Sequence, residues 1–512
     1  MQEYAPVSGD GAFAGARELY AETERWLSSA ETAGLQHAEL EEQLQERGRE
    51  LLRRLFQGHL DLLTAGEVRR DDVTGGEGIA RTRAEKGHGR ALATVFGQVT
   101  VLRMAYRAPG APNVHPLDAA LNLPEEKHSH GIRRLAAIEA VRGSHEGAAA
   151  AITRSTGVKT GKRQVEKLVL RAAADVGGFC EDRQPDPAPD DHALVLTFDG
   201  KGIVMRPDAL RPAAAKAAAS AQNKLATRLS PGEKHGRKRM AELACVYDAV
   251  PVPRAPEDVI TPPARKRKKP KAQDKKAKGK RRDPQAKGKW LTASVTDDIP
   301  AIIAAAFDEA ERRDPDHRRA WAVLVDGNNT QISAVTAEAA SRGVTITIII
   351  DFIHVLEYLW QAAWSFFDKG EPAAEEWVAD QALKILRGRA RQVAAGIRRR
   401  ATACRYSPAE RAGADECGRY LTAKARCLDY PKALKEGWPI ATGIIEGACR
   451  HLVKDRMDIT GARWGLEGAE AILKLRALTA SGDFDAYWRY HLRREHQRIH
   501  HARYRETYVL AA

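Results

Sequence analysis

An α/β core set among helical segments is the fold class that this 512-residue sequence predicts. One observation is the apolar run Leu194-Val195-Leu196-Thr197-Phe198, which meets Asp199-Gly200 and resumes as Ile203-Val204-Met205. A short apolar run bounded by a turn residue reads as a strand buried on both faces, with the Asp-Gly pair closing it. A second is the return of the pattern: Trp321 to Val325 precedes Asp326-Gly327, and Val344 to Ile350 precedes Asp351. With a helix from about Ile332 to Ser341 between them, the two runs have the strand–helix–strand rhythm of an α/β unit. Asp326 and Asp351 then share one sheet edge if the strands are parallel. A third is the three- and four-residue spacing of apolar residues from Leu40 to Leu63, which predicts an amphipathic helix, together with a continuously helical stretch from 355 to about 430 whose core residues are Trp360, Trp364, Phe366 and Phe367.

The length suggests two to four domains, at about 150 residues each. The net charge of +14 is uneven: between Arg265 and Lys289, 14 Lys or Arg stand against Asp274 and Asp283, leaving about +2 elsewhere. Residues 261–289 are low-complexity and basic, and read as a disordered loop able to clamp phosphates or as a solvated insertion. Six cysteines without CxxC spacing argue against a zinc cluster and a disulfide framework and fit a reducing cytosol. Met1 to Tyr20 lacks the pattern of a signal peptide, and Val344 to Leu356 is too short and polar to span a bilayer. A cytoplasmic protein is expected, with no membrane partner.

In chain order, residues 1–90 read as a helical N-terminal region. Residues 91–128 hold a β-hairpin, Ala93 to Leu102 with Gly97-Gln98 near its turn, then a Pro-containing loop from Pro109 to Pro124. Residues 129–183 return to helix: Ile132 to Val141, a second helix capped by Ser144, and a third from about Gly161 carrying Lys162, Arg163, Gln164 and Lys167. Two short helices joined by a Gly-containing turn are compatible with a DNA-reading helix-turn-helix and equally with a plain bundle. Prolines in Gln184 to Asp191 mark a boundary. The α/β core follows over 191–365, with a helix from Pro212 to Ala226 and a strand from Glu242 to Val252. A helical insertion spans 366–436, the last core helices 437–485, and a C-terminal tail 486–512.

A last carboxylate, Glu446, sits in Ala441-Thr442-Gly443-Ile444-Ile445-Glu446, where Thr442 can cap a helix; Arg450, Lys454 and Asp458 follow at four-residue steps. Such a face is also what a salt-bridged helix surface looks like. Two strand-end aspartates and a helix-borne glutamate together supply hard oxygen ligands suited to Mg²⁺. Two such ions about 3.5–4 Å apart can clamp the attacking and leaving oxygens of a phosphoryl displacement.

The segments LVLTFDGKGIVMRPDALR, WAVLVDGNNTQI, DFIHVLEYLWQAAW and TGIIEGACRHLVKDRMDITGARW resemble the bacterial insertion-sequence transposases of the ISKra family, of the DDE class. The upstream GQVTVLRMAYRAPGAPNVHPLDAALNLP is similar to that family's N-terminal region, so the resemblance covers roughly 90–480. It implies a ribonuclease-H-like catalytic core split by a helical insertion, preceded by a mainly helical DNA-binding region containing a β-hairpin. It also implies cleavage and strand transfer at element ends with two Mg²⁺ (or Mn²⁺) ions, double-stranded DNA as partner, and a homo-oligomer on DNA.

Carried over, the motif falls on Asp199, Asp326 and Glu446. Asp351 stands where such transposases often have the Cys of a Cys-x-x-His pair, with His354 matching the His, so Asp351 stays open as an alternative second metal ligand. His354 would orient or stabilise charge near the scissile phosphate, or be a core histidine. Lys162, Arg163, Lys201, Lys454, Arg456 and Arg463 are candidate DNA contacts, and Trp464 a base-stacking or, preferably, core residue. A catalytically silent DNA-binding descendant and a metal-dependent nuclease without strand transfer are the alternatives.

Overall fold

The computed structural model describes residues 9–220, 236–261, 283–459 and 461–504. Residues 262–282, most of the basic segment, lie outside the described residues, as does the 221–226 end of the expected Ala-rich helix, whose described part is Pro212–Ser220. The protein is mixed α/β and divides into two compact units. One comprises Met1–Asp182 with Asp483–Ala512, the other Arg183–Gly482.

In the first unit the amphipathic helix His37–Ala65 packs Leu60 against Leu92, Val99, Val101 and Leu123. Those residues come mainly from an antiparallel hairpin, β1 (Arg83–Thr94) and β2 (Gly97–Ala108). Its turn is Val95-Phe96, two positions earlier than expected, because Gly97 with φ +122° supplies the left-handed backbone after it. The expected 109–124 loop contains a further strand, β3 (Ala111–Val114), and a helical turn, Pro116–Ala120. Pro112 conceals that strand: proline is tolerated at a sheet edge but depletes the β signal.

The helices His130–Arg142, His145–Thr156 and Lys162–Ala172 follow. Ser144 caps the second, accepting from the Gly147 amide at 2.9 Å, and Gly157 at φ +73° ends it. The segment expected to be a C-terminal tail instead forms the helix Phe484–Ile499, which belongs to this unit. Its buried face includes His491 and Glu495, so apolar periodicity could not reveal it.

The second unit is built on a five-stranded sheet of order β6-β5-β4-β7-β8. β5 (Lys238–Val250) pairs antiparallel with both β4 (Ala193–Val204) and β6 (Gln285–Ser294); β7 (Trp321–Val325) and β8 (Ile346–Ile350) run parallel to β4. Leu194, Val195, Leu196 and Phe198 are all buried, each burial contributing roughly 1.5–3 kcal/mol. Asp199-Gly200 does not close this strand. β5 pairs with β4 along its whole length, Asp199 opposite Leu243 and Gly200 opposite Glu242, so the ladder carries straight through. The end of the segment expected as a basic loop is a strand: Lys287 and Lys289 lie in β6, held by its pairing to β5.

The helix Asn329–Arg342 connects β7 to β8, and Phe352–Ala363 leaves β8. Pro372–Leu386, Ala390–Ala403, Ala412–Ala423 and Tyr430–Lys435 form a helical block before Gly443–Ala448. A π-helical segment, Cys449–Lys454, follows, then Leu466–Ser481. No helix among the described residues is long and apolar enough to cross a membrane.

Candidate active site

Strand register assembles the acids. β4 aligns Thr197 with Leu324 of β7, and β7 aligns Val325 with Ile350 of β8. Continuing each register by one or two residues brings Asp199, Asp326 and Asp351 to one level across three adjacent strands. Asp326 and Asp351 follow the carboxyl ends of β7 and β8, where an open α/β sheet binds ligands, and Asp199 lies at the same level inside β4.

Glu446 reaches this edge from the first turn of Gly443–Ala448. Thr442 occupies the N-cap position, yet its hydroxyl does not cap the helix. It donates to Asp351 Oδ2 and lies 3.3 Å from Glu446 Oε1. Asp351 is 1% exposed, accepts from the Ile353 amide at 2.9 Å, and is hydrogen-bonded to Glu446. Partial desolvation and then the charge of Asp351 push the Glu446 carboxyl above its usual range, with Asp199 adding to the effect. The Cys449 thiol, one turn beyond Glu446, is raised by burial and by Asp199, to which it is hydrogen-bonded. Asp351 is thus the strand-end aspartate that touches Glu446.

Asp326 faces another set of groups. Its Oδ1 accepts from the Asn328 amide at 2.8 Å, and its charge raises the Tyr358 and Tyr420 phenols beyond the effect of burial. His354 lies one turn past Asp351 with Nδ1 3.2 Å from Glu357 and its ring edge-on to Tyr358.

The donors at this edge are carboxylate oxygens, the ligand type that hard divalent ions take, and burial followed by the charge of Asp351 raises Glu446. Among the described residues, the acids of this edge do not form a three-ligand set within 4.8 Å; Asp175, His491 and Glu495 do. That buried set is already neutralised. Arg133 contacts Glu495 and His491, Arg498 contacts Asp175 and Glu495, and Arg171 contacts Glu495. Burial alone would raise Glu495, but Arg133 foremost among its partners holds it below the usual range. These groups are an ion network within the first unit.

The chain matches no protein-family model and no curated protein.

The candidate DNA contacts separate by exposure. Lys162, Arg163, Lys201, Lys454 and Arg463 are exposed. Arg456 is not: it is 3% exposed, sits 4.7 Å over the Trp464 ring, and is pushed down to about 10 by burial and Arg476. Arg456 is therefore an interior side chain rather than a surface phosphate contact. Trp464 is buried, its indole donating to Met457 O at 3.0 Å, which makes it a core residue. The four-residue ladder Arg450–Lys454–Asp458 is broken by the π turn. Asp455 serves His451 at 3.1 Å and Arg450, five residues before it, at 3.9 Å.

Sequence reasoning missed Tyr420, Lys424, Tyr430 and Cys449, and read Thr442 only as a cap. Nothing near the first three in sequence marks them, because their partners lie 80 to 95 residues away, in the contacts Tyr430–Ile350, Tyr420–Asp326 and Lys424–Asn329.

Proposed function

We propose that this protein is a DDE-class DNA transposase that cleaves DNA at insertion-sequence ends and joins them to a target, using two divalent metal ions. The observation that carries the reading is the assembly of Asp199, Asp326 and Asp351 at one sheet level with Glu446 returned against Asp351 after a helical block. The strand order, three antiparallel strands followed by two parallel ones with acids at the edge, supports a ribonuclease-H-like core split by that block.

Asp199, Glu446 and one or both of Asp326 and Asp351 would hold the metals, which when bound supply an electrostatic clamp on the attacking and leaving oxygens. The chain's own groups then place those ligands: Thr442 holds Asp351, and Cys449 donates to Asp199. His354 is available to orient the phosphate. Lys201 next to Asp199 on β4, and Lys162 and Arg163 on an exposed helix start, offer charge to the DNA backbone. Pairing two DNA ends implies an oligomer, acting in the bacterial cytoplasm at the nucleoid.

The test is a plasmid carrying the native locus, incubated with purified protein and Mg²⁺. Defined cuts and joined products with short target duplications, lost in Asp199→Asn and Glu446→Gln, support the reading. Comparing Asp326→Asn with Asp351→Asn assigns the second ligand. Tight DNA binding without any metal-dependent cleavage would overturn it.

A further inference from the structure

The loop Asp326-Gly327-Asn328-Asn329 links β7 to the helix Asn329–Arg342, and its own contacts are local. Asp326 Oδ1 accepts from the Asn328 amide, and Asn328 Oδ1 caps the helix by accepting from Thr330 at 2.8 Å. Neither contact fixes the loop against the rest of the unit. Two side chains from the helix Ala412–Ala423 and its C-cap do so. The Tyr420 hydroxyl donates to the Asp326 carbonyl at 3.1 Å, and the Lys424 ammonium donates to Asn329 Oδ1. Being four residues apart, they project from one face of the helix end and reach both ends of the loop.

The approach is close. Gly327 has φ +97°, and a Cβ there would stand 2.6 Å from the Tyr420 hydroxyl. Tyr420 is itself stacked on Tyr358 with ring centroids 3.9 Å apart and an 18° interplanar angle. Lys424 is 9% exposed. A second tyrosine repeats the arrangement on the next strand: buried Tyr430 donates to the Ile350 carbonyl at 3.0 Å, immediately before Asp351. Carbonyls at the ends of strands lack ladder partners, and buried ones must be satisfied by some donor. Here the donors come from the inserted helices.

We propose that the helical insertion positions the metal-binding carboxylates, with Tyr420 and Lys424 stapling the loop that carries Asp326. Tyr420 is a positioning residue: it touches the backbone of Asp326, not the reacting atoms. The inference rests on the proposed metal-dependent function. Without the phenol hydroxyl the loop keeps its local contacts but loses the one of its two anchors that holds the Asp326 end, so Asp326 samples more orientations and metal binding weakens.

The experiment titrates Mn²⁺ against the full chain and reads the rise in Tm and the half-saturating concentration for plasmid cleavage. The variants are Tyr420→Phe, Lys424→Met and, as a control on the exposed flank of the same helix, Arg419→Ala. Half-saturation should rise roughly three- to tenfold in Tyr420→Phe and Lys424→Met, with a smaller Mn²⁺-induced Tm rise, and stay at the wild-type value in Arg419→Ala. Either positioning variant suffices for the test if the other fails to fold. A purely structural tyrosine would lower the metal-free Tm and leave half-saturation where it was, overturning the proposal while the metal-dependent reading stands. A wild type with no Mn²⁺ response in either readout would overturn both.

Discussion

The hydroxyl of Thr442 donates to Asp351, 91 residues earlier in the chain, while lying 3.3 Å from Glu446. That one hydroxyl proton goes to Asp351, so the side chain sits between two carboxyl groups and donates to one of them. Thr442→Val keeps the shape and removes the donor, leaving a buried Asp351 oxygen less satisfied. The expected loss is about 1–3 kcal/mol, read by urea denaturation without metal. A change within experimental error would show that the contact contributes nothing.

The raised Glu446 carboxyl makes stability depend on pH. A folded-state value above the unfolded one means that the stabilisation is full below the ordinary glutamate range and is lost as pH rises through the folded value. Glu446→Gln should therefore melt above wild type at pH 8 in EDTA, with the gap closing toward pH 4. Saturating Mg²⁺ should reverse the order at pH 8. Parallel melting curves at both pH values would contradict the crowding of charge at this edge.

Gly327 combines φ +97° with the Tyr420 hydroxyl where a Cβ would lie. Gly327→Ala should cost roughly 1–3 kcal/mol from the strained backbone, plus the displaced tyrosine. Adding Tyr420→Phe to it removes the clash and not the backbone strain, so the double variant should lose less than the sum of the singles. Simple additivity in chemical denaturation would argue against the close approach.

Arg133 is wholly buried and contacts Glu495, which is buried as well. Breaking such a pair leaves an uncompensated charge, so Arg133→Met should destabilise by about 3–5 kcal/mol. Because Arg133, Arg171 and Arg498 already neutralise the cluster, Zn²⁺ and chelators should leave the Tm of wild type unaffected through this site. A Zn²⁺-dependent Tm rise abolished by His491→Ala would reassign the cluster as a metal centre.

Two arginines separate the surface from the interior. Loss of the exposed Arg163 should weaken DNA binding and lower the salt slope by about 1, as expected for one phosphate contact. Arg456→Ala should instead lower Tm, since that guanidinium is buried against Trp464, and leave the salt slope alone. Filter binding across a salt series checks both.

Much of the fold was legible locally. The run Leu194 to Phe198, the strands ending at Asp326 and Asp351, and the helix capped by Ser144 each carry their own signal within a few residues. Local rules failed where a partner elsewhere overrode them. Asp199-Gly200 reads as a turn, yet an antiparallel neighbour pairs straight across it. Polar residues of Phe484–Ile499 read as a tail, yet they meet complementary charges from residues some 320 to 360 positions earlier.

The sequence by itself determined the strands that lead into Asp199, Asp326 and Asp351, the principal amphipathic helices and the candidate acids, because hydrophobic period and residue chemistry are properties of short stretches. Only the tertiary structure decided which aspartate meets Glu446, that Arg456 faces inward, and that Tyr420 anchors Asp326. Those depend on register between strands and on a π turn, each a compromise among many distant contacts that no short stretch encodes.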